Sequence, residues 1–226
     1  MNSLAEENYL KAIYKIAETG DGYILTNDIA RKMNTTAASV TDMLKKLAKK
    51  KLIRYKKYQG LSLTEPGRKT ALNVIRKHRL WEMFLVKVLK FKWDEVHEVA
   101  EQLEHIRSEK LIQHIDKVLN FPKIDPHGDP IPDTNGKFIL SKQKSIPLSD
   151  SKERNQYSVT GVIDHSNSFL QLLDKAGIML GSRIKVRDVQ PYDRSLSVIL
   201  NGKKKLFLSN QIAKNILVAN AHSRNK

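Results

Sequence analysis

The spacing of apolar residues shifts along this chain from mostly helical to mostly strand-like, and that change limits the folds open to it. Up to about Leu119 the apolar positions recur every three to four residues, the period of a helix buried on one face. From Tyr157 onward, short runs alternate apolar and polar residues: YSVTGVI, SRIKVRDV, SLSVILNG and KKLFLS. That is the period of half-buried strands. Residues 133–154 between them are polar, with TNGK, SKQK and SDSKER, and read as a tether. The pattern predicts a mainly α protein with a small β part at its C-terminal end.

The first segment divides further. A helix is expected from Glu6 to about Glu18, on Tyr9, Leu10, Ile13, Tyr14, Ile16 and Ala17, and is broken by Gly20 and Gly22. Thr26 is expected to cap a short helix, Asn27–Met33. After the tight connection Asn34-Thr35-Thr36, with Thr36 as N-cap, a second helix runs from Ala37 to about Lys50 on Val40, Met43, Leu44 and Leu47. Two short helices joined this way form a helix-turn-helix. Leu52–Lys57 and Leu61–Thr64 flank Tyr58-Gln59-Gly60 as a hairpin, which makes it winged. The second helix would enter a DNA major groove, presenting Thr35, Thr36, Ala38, Ser39, Thr41 and Asp42 to base edges. Lys46, Arg54, Lys56, Lys57 and Tyr58 complete the DNA-binding candidates, and the wing cations suit backbone phosphates. Charge agrees. The formal net charge is +16, and the first 77 residues hold twelve Lys and four Arg against seven acids. A polyanion is the expected partner, double-stranded DNA before a membrane surface. No run approaches the roughly 18 apolar residues of a membrane helix.

The middle segment carries metal chemistry. A long helix from about Lys69 to Lys87 holds His78 and Glu82 at i and i+4. The next helix is expected as one piece, about Asp94–Leu119, and includes HEVAEQLEH. Helical geometry then puts His97, Glu101, Glu104 and His105 within an arc of about 100°. Imidazoles and carboxylates without sulfur suit Mn²⁺ or Fe²⁺, although zinc uses the same ligands. Asp125, His127 and Asp129 in FPKIDPHGDPIP add potential ligands on a proline-rich loop. The chain has no cysteine, which removes disulfides and thiolate sites and fits a reducing cytoplasm. At the C-terminal end a helix, SFLQLLDKAG, sits among the strands, Asn201-Gly202 turns a hairpin, and Ile212–Val218 closes the domain as a short helix. A small barrel plus helix follows, with a frayed tail, AHSRNK.

Five stretches together resemble the diphtheria-toxin-repressor family of metal-dependent regulators, near its manganese-responsive branch: EENYLKAIY, GLSLTEPGRK, KHRLWEMFL, HEVAEQLEH and DPHGDPIP. SFLQLLDKAGIMLGSRIKV is similar to that family's third domain. The resemblance covers nearly the whole chain. It implies a winged helix-turn-helix DNA-binding domain over 1–72, a helical metal-binding and dimerisation domain over 73–140, and an SH3-like (FeoA-like) β-barrel domain over 155–226. It implies a homodimer that binds a palindromic operator when loaded with Mn²⁺ or Fe²⁺ and represses metal-uptake genes. One metal site falls on Asn8, Glu101, Glu104 and His105, with Glu7 as an alternative to Asn8. A second involves His78, Glu82 and His97, helped by the Asp125–His127 loop or by Asp164 or His165. Glu101 stands where iron-responsive members carry cysteine. The apolar side of the middle helices, at Leu80, Trp81, Phe84 and Leu85, is the expected dimer core. Two other readings of the residues remain: a metal-independent DNA-binding regulator and a metal-dependent hydrolase.

Overall fold

The computed structural model describes residues 2–19, 24–56, 60–138 and 144–221, the side chains of Thr19 and Lys56 excepted. The chain forms two compact units. One takes residues 1–81, 100–123 and 131–139, and the other takes 82–99, 124–130 and 140–226.

The first unit opens with α1 (Leu4–Thr19), α2 (Thr26–Lys32) and α3 (Ala37–Lys49), followed by an antiparallel hairpin of β1 (Ile53–Lys56) and β2 (Gly60–Leu63). This is the expected winged helix-turn-helix. Leu10 and Ile13, Ile29, Val40 with Leu44 and Leu47, and Leu61 meet in one buried cluster. Burying each such side chain contributes roughly 1.5–3 kcal/mol before entropy is counted. Thr36 caps α3 as predicted, accepting the Ser39 N–H at 3.2 Å. Thr26 does not cap α2. It is the first helical residue, Leu25 holds the cap position without a side-chain bond, and the helix is fixed by burial of Ile29 and Ala30. Helix α4 (Glu65–Lys87) begins a turn earlier than expected. A Cβ at Gly67 would lie 1.9 Å from the Leu52 carbonyl oxygen, so only glycine lets α4 run this close to the hairpin.

The single helix expected from Asp94 to Leu119 is two. Helix α5 (Val96–Leu103) ends before Glu104, and α6 (Glu109–Val118) starts from its own cap, Ser108, whose hydroxyl accepts the Leu111 N–H. Glu104 and His105 therefore sit in a turn. The expected dimer core is also corrected. Leu80 is 0%, Trp81 8% and Leu85 3% exposed, so these side chains are spent inside the chain. Phe84 is half-buried, and the exposed large apolar residues of the helical segment are Val88, Leu89, Phe91, Leu111, Val118 and Phe121.

The second unit is built on β3 (Ile146–Pro147), β4 (Gln156–Val162), β5 (Arg183–Val189), β6 (Leu196–Leu200), β7 (Lys204–Leu208) and β8 (Ile216–Asn220), with helices α7 (Asn167–Ala176) and α8 (Asn210–Lys214). Its antiparallel sheet runs β3-β8-β4-β5-β6-β7 and curves around Phe169, Leu170 and Leu173 of α7. Register shifts at Val159/Gly161 and Val186/Asp188 supply the bend. The expected closed barrel is not formed: β3 and β7 end the strand order without pairing among the described residues. With two residues, β3 is too short to close it. The polar run 133–154 is not all tether, since Ile146 and Pro147 pair with β8 and Leu148 is fully buried. Ile212–Val218 is not one helix. Ser209 caps α8, and Ile216 and Val218 then alternate inward as a strand between β3 and β4. Asn201 and Gly202 both take positive φ in the β6–β7 turn, as predicted. The tail AHSRNK lies almost wholly outside the described residues.

The first turn of α1 carries a capping box. The Ser3 N–H donates to Glu6 Oε2 at 2.8 Å, and the Glu6 N–H donates to Ser3 Oγ at 3.3 Å. Glu6 is fully buried and also meets Lys50 at 2.8 Å and Lys46 at 3.3 Å. Burial pushes its carboxyl up, but Lys50, the Ser3 N–H and Lys46 outweigh this and hold it at about 2, below its ordinary 4.5. The stabilisation is therefore complete above pH 4.5 and is lost as pH falls toward 2. Glu6→Ala should destabilise the protein by about 2 kcal/mol at neutral pH, with both lysines largely solvent-screened. In urea titrations its deficit against wild type should shrink between pH 5 and 2, and a deficit constant with pH would contradict the assignment.

Candidate metal centre

The predicted ligands gather in two clusters rather than along one helix face. The first lies in the first unit, between α1 and the turn that follows α5. Glu104, with 0% of its surface exposed, is its centre. Lys11 Nζ donates to both Glu104 oxygens, at 2.6 and 2.8 Å, and His78 Nδ1 lies 2.7 Å from Glu104 Oε2. His105 Nε2 is 3.5 Å from Glu104 Oε1, and its Nδ1 is 2.7 Å from Glu7 Oε2. Glu101, largely exposed on α5, approaches Lys11 Nζ at 3.5 Å. Asn8 Oδ1 is buried and has no hydrogen-bond partner among the described residues. Burial pushes the Glu104 carboxyl up, yet the His78 bond and the Lys11 charge hold it below the usual range, so it is an anion. Helix ends explain the grouping: had α5 continued, Glu104 and His105 would share a face with His97.

Glu82 organises the second cluster, in the second unit. It is 2% exposed, and its oxygens lie 3.3 Å from His97 Nδ1 and 3.7 Å from His127 Nδ1. The carboxylate of Asp125, the carboxylate of Glu82 and the imidazole of His127 each offer a ligand atom within 4.8 Å of the others. Asp125 also does the turn work its place before proline suggests: Oδ1 accepts the backbone N–H groups of His127 and Asp129 at 2.8 and 2.9 Å. Gly128, at φ 96°, is required because a Cβ there would meet the Thr160 oxygen at 2.2 Å. His127 Nε2 is 2.8 Å from the Trp93 carbonyl, and its ring stacks on Trp93 and on His165. Asp164 is occupied locally, with Oδ1 accepting the Ser166 N–H. His78, one turn before Glu82 on α4, bonds Glu104 of the first cluster.

Residues absent from the expectation are Lys11 and Trp93. Lys11 had a readable signal, standing four and three residues after Glu7 and Asn8 on one helix face. Trp93 contributes a backbone carbonyl and a ring face, which no side-chain pattern announces. Carboxylates, imidazoles and a buried amide oxygen without a partner fit a hard or borderline divalent ion.

The DNA-reading candidates lie on the outer side of α3. Thr35, Thr36, Ala38, Ser39, Asp42 and Lys46 are exposed and Thr41 is half-buried. Asp42 pairs with Lys45 at 3.2 Å, and Lys46 is shared with Glu6. Arg54 is exposed on β1; Lys57, Tyr58 and the Lys56 side chain lie outside the described residues. No described helix is long and apolar enough to cross a membrane.

Three family models match in order. An iron-dependent repressor N-terminal DNA-binding domain covers residues 3–61, an iron-dependent repressor metal-binding and dimerisation domain covers 64–133, and a FeoA domain covers 146–220. The iron-dependent repressor IdeR of Mycobacterium tuberculosis is 29% identical over 94% of this chain and 96% of its own length. The HTH-type transcriptional regulator MntR of Bacillus pumilus is 32% identical over 69% of this chain and 96% of its own. A solved manganese-dependent transcriptional repressor in complex with manganese is 32% identical, with a TM-score of 0.85 over 96% of this chain and all of that one.

The second cluster makes a pH prediction. Burial pushes the His127 imidazole down, but Glu82, Asp125 and the Trp93 carbonyl outweigh it and raise the group from 6.5 to about 9. This stabilisation is complete below pH 6.5 and is lost as pH rises through 9. In chelator, wild type should lose roughly 2 kcal/mol across that window, and His127→Gln should lose less. Equal losses in urea titrations of the two proteins would contradict it.

Proposed function

The chain belongs to the family of iron-dependent repressors, and we propose that it is a divalent-metal-dependent transcriptional repressor acting as a homodimer on a palindromic operator. The observation that carries this reading is the meeting of Glu7 and Lys11, from the DNA-binding segment, with His105 and Glu104, from the segment matched to metal binding. A cation held there supplies positive charge that Glu7, Glu101 and Glu104 share across the two segments. Glu7, Asn8, Glu101, Glu104 and His105 are its proposed ligands, and His78 orients Glu104. A second position is proposed on Glu82, His97, Asp125 and His127, with His165 against His127 and Asp164 beside it. Oxygen and nitrogen donors without sulfur favour Mn²⁺ or Fe²⁺.

By this reading α1 becomes fixed against the α5–α6 turn, and each α3 is held where two half-sites about one DNA turn apart can be reached together. Thr35, Thr36, Ala38, Ser39, Thr41 and Asp42 face bases, and Lys46, Arg54, Lys56, Lys57 and Tyr58 serve the backbone. The matched dimerisation segment includes α6, so its exposed Leu111 and Val118, with Phe121 after it, are proposed to face the partner copy. We take the working division as residues 1–72, 73–140 and 155–226, in a protein of the cytoplasm. The relatives are an iron-dependent repressor and a transcriptional regulator, and this chain is not an enzyme.

The test is Glu101→Ala with a duplex selected from a random pool by Mn²⁺-loaded wild type, at fixed salt. Its affinity in Mn²⁺ should fall roughly 10-fold while its affinity in chelator stays unchanged. Wild-type binding that is equal with and without chelator would instead favour a metal-independent regulator.

A further inference from the structure

We propose that Lys11 is a built-in competitor for the cation at the first cluster and so raises the metal concentration at which the chain responds. The inference rests on Glu101 and Glu104 being ligands. Lys11 is 8% exposed, and its ammonium bonds both oxygens of Glu104 while lying 3.5 Å from Glu101. A compact +1 charge with three donors thus bridges two carboxylates assigned to the ion. A divalent ion bound to the same oxygens cannot coexist with the ammonium at that place. Like charges a few ångströms apart repel, and each carboxylate oxygen must exchange a charge-assisted hydrogen bond for a metal bond.

The stem of Lys11 decides that this is competition and not exclusion. Four methylenes let the ammonium swing toward solvent while its root stays packed in α1. The displaced contact is a fixed penalty on every ion that binds, so weakly held ions fail to pay it. The neighbouring donor does not compensate: Asn8, three residues earlier on the same helix, offers a neutral oxygen. Lys11 also joins α1 to the α5–α6 turn by the same atoms a metal would use. Its loss should therefore weaken the metal-free protein and strengthen metal binding, opposite signs that a merely structural lysine does not produce.

The experiment uses the full chain. Mn²⁺ affinity is measured by competition with a fluorescent chelator, and melting is followed in EDTA and in saturating Mn²⁺. Lys11→Met and Lys11→Gln should bind Mn²⁺ about tenfold more tightly than wild type, and Lys11→Arg should bind like wild type. Both neutral variants should melt lower than wild type in EDTA, and the gap should close or reverse in Mn²⁺. Glutamine retains a donor to Glu104, which keeps the test open if methionine does not fold. Unchanged or weaker affinity in the neutral variants, while Glu104→Gln lowers affinity, would overturn the role of Lys11 alone. So would a melting gap that is the same with and without Mn²⁺. Full Mn²⁺ affinity in Glu104→Gln would overturn the ligand assignment, and this inference with it.

Discussion

The buried charge of Glu104 is the constraint on which the metal end of this molecule depends. A lone carboxylate with no exposed surface would cost several kcal/mol. The fold answers it with Lys11 from α1, His78 from α4 and His105 from the same turn. These partners arrive from three separate segments, so satisfying one side chain aligns all of them. Arg76 and Asp116 repeat the device nearby. Their buried ion pair ties α4 to α6, and Arg76 Nη1 also donates to the Pro132 carbonyl at 2.6 Å. Polar contacts of this kind specify one arrangement where apolar contacts tolerate several.

Much of the fold was legible because its periods are clean. The stripe Val40, Leu44 and Leu47 and the Gly60 turn led directly to α3 and the hairpin. The break between α5 and α6 was not legible, since Val96 to Val118 keeps helical spacing across it and the stop is set by the Ser108 cap and by what Glu104 must reach. Periodicity reports which face is apolar but not whether the backbone is continuous. The open sheet was hidden for a related reason. The edge strand β3, Ile146-Pro147, lies in a stretch too polar to read as a strand. At the candidate site the ligand types were readable from spacing alone, whereas their division into two sets came only with the family resemblance. His97 and Glu104 are seven residues apart, two helical turns, yet they serve different carboxylate–imidazole clusters once the helix ends between them. Lys11 is absent from the expectation because a lysine is seldom buried without partners, and its partner Glu104 lies 93 residues away.

Opposite charges are kept on different sides of the problem. The outer side of α3 is small, polar and flanked by lysines, which suits a polyanion, whereas Glu82 and Glu104 of the middle segment are turned toward imidazoles and Lys11. Net charge alone would have suggested only the first ligand. The acids that lower it are the ones that define the second.

The first turn of α1 links the two. Glu6 and Glu7 are consecutive, so their side chains leave the helix about 100° apart. Glu6 reaches Lys46 and Lys50 at the end of α3, and Glu7 reaches His105 in the α5–α6 turn. One rigid turn of helix is thus bonded to α3, the proposed DNA-reading element, on one side and to the candidate metal cluster on the other. A helix does not bend within a single turn without breaking its own hydrogen bonds, so a displacement at Glu7 or Asn8 is also a displacement at Glu6. The capping box that fixes Ser3 against Glu6 stiffens the point where this would otherwise fray. On the proposed reading, the route from metal to α3 therefore needs no long chain of contacts. It needs only that Glu6 stay ionised and buried while its neighbour exchanges its bond to His105 for one to a cation.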